Sequence, residues 1–357
     1  MRINTVCAFV LVMLFGLARP AECKYHYGFL GELLARQPSA RGEALGKGNV
    51  TATGSVLDTN FNPAGLAGAP ALSLCASTSK SLYTLENARY TYLGGSVRVG
   101  RIGVVGASRY RLDTGEKTVR GAGGGGVYTP EYYVYTLTFS TEPVRDLFVG
   151  TNVNLLRYNL PGDYSNEWWA DLGLLKTIRL TRSDRMRQLL RVGGSLANFT
   201  YSEAELPGGD EDLPVTLRVG CCYSVAWWGR TLLSSLKTME VLVNLEFQDL
   251  LNSEYLDGYR VGGEVWLLEM LALRIGHYSE DIDDFGHAAN KSEREETTYG
   301  FGIELPFDRF SDGDIPIVIS LDMVRLDQPS LTHGPAAYDK YSVYTICIRY
   351  VGSGLGF

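Results

Sequence analysis

The chain has 357 residues, of which 45% are hydrophobic, 11% aromatic and 20% charged, and its formal net charge is −7. This composition excludes a disordered chain, and 13 prolines without a Gly-X-Y repeat exclude collagen. The acidic excess argues against nucleic-acid binding, because proteins that bind nucleic acid usually present a basic face. The 41 glycines and 22 tyrosines are unusual for a soluble enzyme of this length and need a structural explanation.

Residues 1–23 have the pattern of a secretory signal peptide. A basic residue precedes an apolar run over 6–18, and small residues follow, so we expect cleavage after Ala21 or Cys23. The run is too short for a membrane-spanning helix. A lipoprotein that carries its lipid on Cys23 is the less favoured alternative.

Beyond residue 70, apolar and polar side chains alternate with the period of a β-strand. Over residues 239–248, for example, Val243 and Leu245 share one face, whereas Asn244 and Glu246 share the other. Strands of about 9–11 residues suit a tilted crossing of a bilayer, whereas soluble strands average about five or six. The segments with this pattern, about fourteen in number, are Leu72–Ser79, Arg89–Val99, Arg101–Tyr110, Pro130–Ser140, Asp146–Tyr158, Trp168–Ile178, Gln188–Thr200, Pro214–Ser224, Leu236–Phe247, Gly258–Trp266, Leu268–Tyr278, Glu296–Leu305, Ile315–Arg325 and Tyr341–Val351.

The connections between these segments differ in length. Gly100 and Glu269 mark tight turns, whereas residues 204–213 and 280–295 are long polar connections that we assign to the opposite rim. Aromatic residues cluster near segment ends, as in the interfacial girdles of membrane barrels. We therefore expect the tyrosines in these girdles, and the glycines in the turns and in the N-terminal segment.

The sequence thus predicts an all-β protein, a transmembrane antiparallel β-barrel of about 14 strands over residues 71–357. Residues 24–70 lack the alternation and are rich in small residues, with short helices predicted over Phe29–Arg36 and Ser39–Leu45. Because a barrel of this width must be filled, we predict that this N-terminal segment acts as a plug. A soluble secreted β-sandwich that binds a ligand is the alternative.

No arrangement of reactive side chains points to catalysis. The sequence lacks the common hydrolase and metalloprotease motifs, so we predict neither an enzyme nor a cofactor or metal site. His277 and His287 flank an acidic stretch, for which a solvated loop is favoured over a cation site. Once the signal region is removed, the remaining cysteines have no CxxC spacing and predict no disulfide framework; they are Cys75, Cys221, Cys222 and Cys347.

Two short elements of the N-terminal segment resemble a known family. Ser39–Asn49 and Asn62–Ala67 are similar to the elements that precede the barrel in the PorV/PorQ family, which is related to the FadL long-chain fatty-acid transporters. Residues 90–95 and 103–108 look like the first hairpin of that family. The motif residues are Ser39, Ala40, Arg41, Gly46, Gly48, Asn49, Asn62, Pro63, Ala64, Gly65 and Leu66. Without that context, Asn62–Ala67 reads as an ordinary Asx-type turn before a strand.

The resemblance implies a non-enzymatic protein of the bacterial outer membrane. FadL-like relatives transport hydrophobic molecules, whereas PorV-like relatives are accessories of type IX secretion that hold exported cargo. The implied partners are outer-membrane lipid and either a long-chain hydrophobic ligand or a secreted protein cargo, without nucleic acid. A transporter should have an apolar pocket under the plug, lined by Leu57, Phe61 and Leu66. A secretion partner should instead have a protein-binding loop face and a lumen closed by polar contacts.

Overall fold

The computed structural model of the chain describes residues 38–82, 85–113, 115, 117–121, 124–128, 131–160, 163–183, 185–200, 204–206, 209–211, 215–229, 237–251, 258–283, 291–310, 315–329 and 338–352. The predicted signal peptide (1–23), the predicted helix Phe29–Arg36 and the first part of the predicted plug segment lie outside these residues. They remain predictions from the sequence.

Fourteen strands of the described chain form one closed antiparallel barrel, as the sequence predicts. The barrel strands are β1 (Leu72–Leu82), β2 (Leu85–Val99), β3 (Gly103–Asp113), β6 (Glu131–Val144), β7 (Leu147–Leu160), β8 (Asp163–Arg182), β9 (Met186–Ala197), β12 (Thr216–Trp227), β13 (Met239–Leu250), β14 (Gly258–Leu267), β15 (Leu271–Asp283), β16 (Lys291–Pro306), β17 (Ile317–Pro329) and β18 (Tyr338–Tyr350). Two small hairpins lie in connections, formed by β4 (Lys117–Gly121) with β5 (Gly124–Tyr128) and by β10 (Ala204–Leu206) with β11 (Gly209–Glu211).

The side chains of each barrel strand alternate between an apolar outer wall and the lumen. On β13, Val243, Leu245 and Phe247 are about half exposed on the outer wall, at 46 to 50% of their full accessible surface. Asn244 and Glu246 between them point inward and are buried. Similar exposed apolar residues occur on strands around the barrel, and a belt of this extent is stable only against lipid. The fold is therefore a transmembrane β-barrel. No helix of the described chain is long and apolar enough to cross a membrane.

The barrel closes by pairing its first and last strands, and a disulfide crosses this seam. β1 pairs antiparallel with β18, which places Cys75 directly opposite Cys347, and the two are bonded. The prediction of no disulfide is wrong for this pair. The two cysteines are 272 residues apart, and only the closure of the barrel makes them neighbours.

The predicted division into a rim of short turns and a rim of long loops is only partly correct. The rim that carries the turns at Gly100 and Glu269 also carries long connections from β12 to β13 and from β16 to β17, whereas the opposite rim joins β1 to β2 and β7 to β8 by two residues each. One rim, here called the turn rim, carries the tight turns at 100–102, 145–146, 183–185 and 268–270, together with the start of β1 and the end of β18. Gly100 and Glu269 occupy left-handed backbone conformations in these turns, with φ of 50° and 59°. The opposite or loop rim carries the connections at 114–130 and 198–215. The predicted 280–295 loop lies at this rim but is shorter than expected, because β15 and β16 extend to Asp283 and from Lys291.

Candidate functional site

Residues 38–71, here called the plug, fold as short helical pieces inside the barrel. Helix α1 (Ala40–Ala44) confirms the helix predicted at Ser39–Leu45, and the Ser39 hydroxyl caps it by accepting from the Gly42 N–H at 3.1 Å. A 3-10 helix spans Val56–Asp58, and a second spans Pro63–Gly68. Asn62 caps the second helix through its Oδ1, which accepts from the Ala64 N–H at 3.0 Å. The Asn-Pro-Ala-Gly-Leu motif therefore begins a capped 3-10 helix, and three residues separate the end of this helix from β1.

The plug follows the inner wall instead of crossing the lumen once. Helix α1 lies against β15 to β18, and the Pro63–Gly68 helix lies against β6 to β8. Between them, the chain passes β13, where the Glu246 carboxylate accepts from the N–H groups of Asn49 and Val50 at 2.6 and 2.8 Å. A segment of this length therefore reaches most of the inner circumference.

Inward-facing glycines on the wall make room for this close passage. A Cβ on Gly276 would lie 1.9 Å from the Gly46 nitrogen, and one on Gly173 would lie 2.1 Å from Oδ1 of Asn62. Real Cβ atoms do not come this close, so both positions require glycine. The wall glycines that a Cβ would drive into the plug are Gly106, Gly150, Gly173, Gly193, Gly220, Gly262, Gly276 and Gly300. The expectation that glycine serves only the turns and the plug is therefore wrong, because this glycine belt lies on the strands.

Hydrogen bonds between side chains and backbone groups join the plug to the wall. Asn62 Nδ2 donates to the carbonyl of Val50 at 2.7 Å and to that of Leu174 on β8 at 3.1 Å. Asn152 on β7 donates to the Thr59 carbonyl at 2.9 Å, and Ser195 on β9 donates to the Phe61 carbonyl at 2.5 Å. Plug backbone groups are thus satisfied by strand side chains, as buried polar groups must be.

At α1, further contacts tie the plug to the opposite side of the wall. Thr298 on β16 donates to the Ala44 carbonyl at 3.0 Å and accepts from the Gly46 N–H at 3.2 Å. Asn244 on β13 donates to the Gly48 carbonyl at 3.0 Å and accepts from the Thr51 hydroxyl at 3.0 Å. The polar face of the lumen therefore matches the plug around most of its path.

A buried ion network joins the plug to the wall near the turn rim. Arg41 binds Glu264 on β14 with two hydrogen bonds of 2.8 and 2.9 Å. Glu264 also binds Arg274 on β15 at 2.6 Å, and Arg274 binds Asp322 on β17 at 2.7 Å. The Glu264 and Arg274 side chains are 1% exposed, so neither charge has bulk water to replace a lost partner.

A cavity lies beside this network. Its volume is about 190 Å³, and Arg41, Asp58, Arg274 and the seam cysteines are among its lining residues. The Asp58 carboxylate accepts from Asn49 Nδ2 at 2.5 Å. Burial raises the pKa of Asp58 above its ordinary value, although Arg41 and Asn49 act against the shift. The turn-rim half of the lumen is therefore charged.

An aromatic and apolar cluster lines the lumen on β2, β3 and β6 to β8 and extends from the loop rim to the seam disulfide near the turn rim. Tyr90 and Tyr110 stack with ring centroids 5.3 Å apart, and the Tyr92 hydroxyl donates to the Val56 carbonyl of the plug at 2.8 Å. The residues of this apolar cluster are Val56, Leu57, Leu66, Ala69, Cys75, Tyr90, Tyr92, Val104, Tyr110, Leu112, Val134, Leu156, Trp169 and Cys347, with Tyr132 against it. Several tyrosines thus face the lumen, so the expectation that the tyrosines belong to the girdles is only partly correct.

The structure separates the three residues predicted to line a ligand pocket. Leu57 and Leu66 belong to the apolar cluster, where they pack against the aromatic wall. Phe61 lies apart from it, with the Arg218 guanidinium 4.9 Å from its ring centroid. The predicted motif residues from Ser39 to Leu66 all lie in the plug, and most of them contact the wall or cap a helix.

Sequence reasoning missed the residues that receive the plug. Glu246 was expected to face the lumen, but nothing in the sequence links it to Asn49 and Val50. For Glu264 and Arg274, the alternation of side chains along each strand predicts only that they face the lumen. It does not predict which residues they bind. Among the described residues, no group of three or more His, Cys, Asp or Glu is placed to hold a metal ion.

Fold and lumen together define a transmembrane β-barrel whose residues 38–71 lie inside it against the wall. Among solved structures, the chain is similar to the Pseudomonas putida toluene transporter TodX, with a TM-score of 0.45 and 11% identity over 87% of this chain and 96% of that one. It is similar to the CymD monoaromatic hydrocarbon channel, with a TM-score of 0.48 and 11% identity over 88% of this chain and 97% of that one. It is also similar to a Pseudomonas aeruginosa FadL homologue, with a TM-score of 0.43 and 10% identity over 89% of this chain and 99% of that one. These values do not assign a function. No protein-family model and no curated protein matches the chain.

Proposed function

We propose that this protein conducts hydrophobic molecules across the bacterial outer membrane and that the plug gates their passage. The observation that carries the proposal is the aromatic and apolar cluster on the inner wall of the barrel. The interior of a transmembrane barrel is ordinarily polar, because it holds water. Apolar and aromatic walls with a few polar groups are instead typical of sites for apolar ligands.

The plug takes part in this site directly. Leu57 and Leu66 are almost fully buried against the cluster, so they occupy space that an apolar ligand would need. On the same segment, Arg41 and Asn49 hold the plug to the polar wall. A ligand that displaces Leu57 and Leu66 from the aromatic wall would therefore loosen the segment that closes the barrel. We assign Leu57 and Leu66 as ligand-facing residues of the gate, and Phe61 as a residue of its polar side.

Binding of hydrophobic probes to the full-length protein tests this site. We expect purified protein in detergent to bind oleate or toluene, and Leu57→Asn to weaken binding at least tenfold by placing an amide in the apolar cluster. The matched control is Val343→Asn, because Val343 is equally buried in a separate apolar cluster behind α1. Equal loss of binding in both variants, or no binding by the wild type, would contradict the proposal.

The role in type IX secretion remains a prediction from the resemblance. The polar contacts between plug and wall agree with what that role requires, but the long loops that would hold cargo lie largely outside the described residues. Pull-down of tagged protein from detergent-solubilised outer membrane separates the two roles. Copurified long-chain hydrophobic molecules favour transport, whereas a copurified secreted protein favours the secretion role.

A further inference from the structure

The turn rim is electrically asymmetric. Along β2 to β9 it carries the cations Arg101, Arg145, Lys176, Arg179 and Arg185. All of them except the half-buried Lys176 are exposed. The described carboxylates in this sector are Glu142 and Asp146, so positive charge is in excess. We name these five cations the basic patch.

The patch is continuous along the rim. The turn at 100–102 touches β6, where the Thr141 hydroxyl donates to the Ile102 carbonyl at 2.7 Å. The next turn touches β8, where Lys176 Nζ donates to the Arg145 carbonyl at 2.9 Å. Asp146 is shared by Arg179 at 2.6 Å and Arg145 at 3.7 Å, so one carboxylate faces two cations.

The other half of the turn rim lacks this excess among its described residues. Lys237 is held between Glu240 at 2.7 Å and Glu269 at 3.5 Å. Arg309 lies 3.9 Å from Glu269 and 3.7 Å from Asp308. Lys237 and Arg309 therefore have three carboxylates between them, whereas in the basic patch Arg145 and Arg179 have Asp146 between them.

Apolar side chains on the outer wall accompany the basic patch. Ile102, Val144, Ile178 and Leu180 are 40 to 68% exposed at the same rim. Apolar residues this exposed lie against acyl chains at the edge of a bilayer, and the neighbouring cations then lie at the depth of the headgroups. A soluble acidic protein would match the charge but would leave these apolar side chains in water.

We propose that the basic patch binds the headgroups of anionic phospholipids in the leaflet that surrounds the turn rim. Guanidinium groups suit this role, because they bind phosphate with paired N–H donors and are weakly hydrated. The patch attracts lipids whose headgroup carries a net negative charge, such as phosphatidylglycerol, over zwitterionic phosphatidylcholine. It thereby orients one sector of the barrel toward an anionic lipid shell.

Native mass spectrometry of the full-length protein in mild detergent tests the proposal with each lipid added at the same concentration. We expect the wild type to retain phosphatidylglycerol over phosphatidylcholine, and 1 M NaCl to abolish the difference through screening. Each cation near an anionic lipid surface contributes about fivefold in affinity, so Arg145→Gln with Arg185→Gln should lower phosphatidylglycerol binding about 25-fold. The matched control, Lys237→Gln with Arg309→Gln, should change it less than twofold.

Three results would overturn the proposal. The first is equal retention of both lipids by the wild type, and the second is a preference that 1 M NaCl does not change. The third is equal loss in the patch and control variants, with folding of both confirmed by altered electrophoretic mobility on heating. Salt-sensitive binding of polyglutamate without lipid preference would assign the patch to an acidic protein instead. If a variant fails to fold, the lipid preference of the wild type and its salt dependence still decide the question.

Discussion

The ion pair between Arg41 and Glu264 offers the sharpest test of how the plug is held. Glu264→Gln removes the negative charge that Arg41 and Arg274 share, while the side chain keeps nearly the same size. Breaking a buried pair by removing one partner costs about 3–5 kcal/mol. The lower value applies here, because Arg41 is 26% exposed and Arg274 keeps its contact with Asp322.

This cost falls on the docked state of the plug, since Arg41 regains water when the plug leaves the wall. At about 1.36 kcal/mol per tenfold, a loss of about 3 kcal/mol raises the undocked population about 150-fold. Trypsin cleavage after Arg41 in the folded, detergent-solubilised protein measures that population, and planar-bilayer conductance measures the opening that follows. We expect both to increase in Glu264→Gln.

Glu304→Gln is the matched control. Glu304 pairs with Arg349, and both residues lie on the wall. This variant should lose stability without faster cleavage after Arg41. If Glu264→Gln and wild type are cleaved at the same rate, or if Glu304→Gln is cleaved equally fast, Arg41 and Glu264 do not hold the plug.

Three further predictions address the glycine belt, the seam and the buried acid. Gly262→Ala should cost about 1–3 kcal/mol of unfolding free energy in a denaturant titration, because its Cβ would lie 2.6 Å from the Leu45 carbonyl oxygen. Gly263→Ala is the control and should be nearly neutral, because the nearest atom to its Cβ is 3.8 Å away. Replacing both seam cysteines by serine should lower the unfolding free energy by up to roughly 5–6 kcal/mol, which is the loss of chain entropy expected for a crosslink across 272 residues. An unchanged urea midpoint of unfolding would contradict this prediction. Because burial raises the pKa of Asp58 above 3.8, the docked plug binds the proton more tightly; docking should therefore strengthen as pH falls from 7 toward 4, with the gain complete below 3.8. Hydrogen exchange of the plug should show a larger gain in the wild type than in Asp58→Asn, and an equal gain in both would contradict the role of Asp58.

The barrel itself could be predicted from the sequence because its cause is local. Alternation such as that of Val243, Asn244, Leu245 and Glu246 follows from one face meeting lipid and the other meeting the lumen. Each of the fourteen segments found from this alternation corresponds to a barrel strand, with shifts of a few residues at the ends. The ends are harder to predict, because hydrogen bonding to the neighbouring strand extends pairing into polar sequence, as in β15 and β16.

The interior could not be predicted in the same way, because it depends on partners far apart in the chain. Cys75 and Cys347 become neighbours only when the barrel closes. Gly276 looks like any strand glycine until Gly46 is placed against it. The position of Asn62 before Pro63 predicts an Asx-type turn, but its hydrogen bond to the Leu174 carbonyl follows only from the path of the plug.

The central claim, that the plug gates the passage of hydrophobic molecules, is tested most directly by locking the plug in place. Thr51 on the plug and Cys222 on the wall line the same small cavity, so Thr51→Cys introduces a second thiol there that oxidation can join to Cys222. The measurement is uptake of radiolabelled oleate by bacterial cells that produce the protein in their outer membrane. We expect Thr51→Cys to stop protein-dependent uptake until a reductant is added, whereas Thr51→Ser and the wild type take up oleate with or without reductant. Undiminished uptake by the locked protein, with the new disulfide confirmed by mass spectrometry, would contradict the claim.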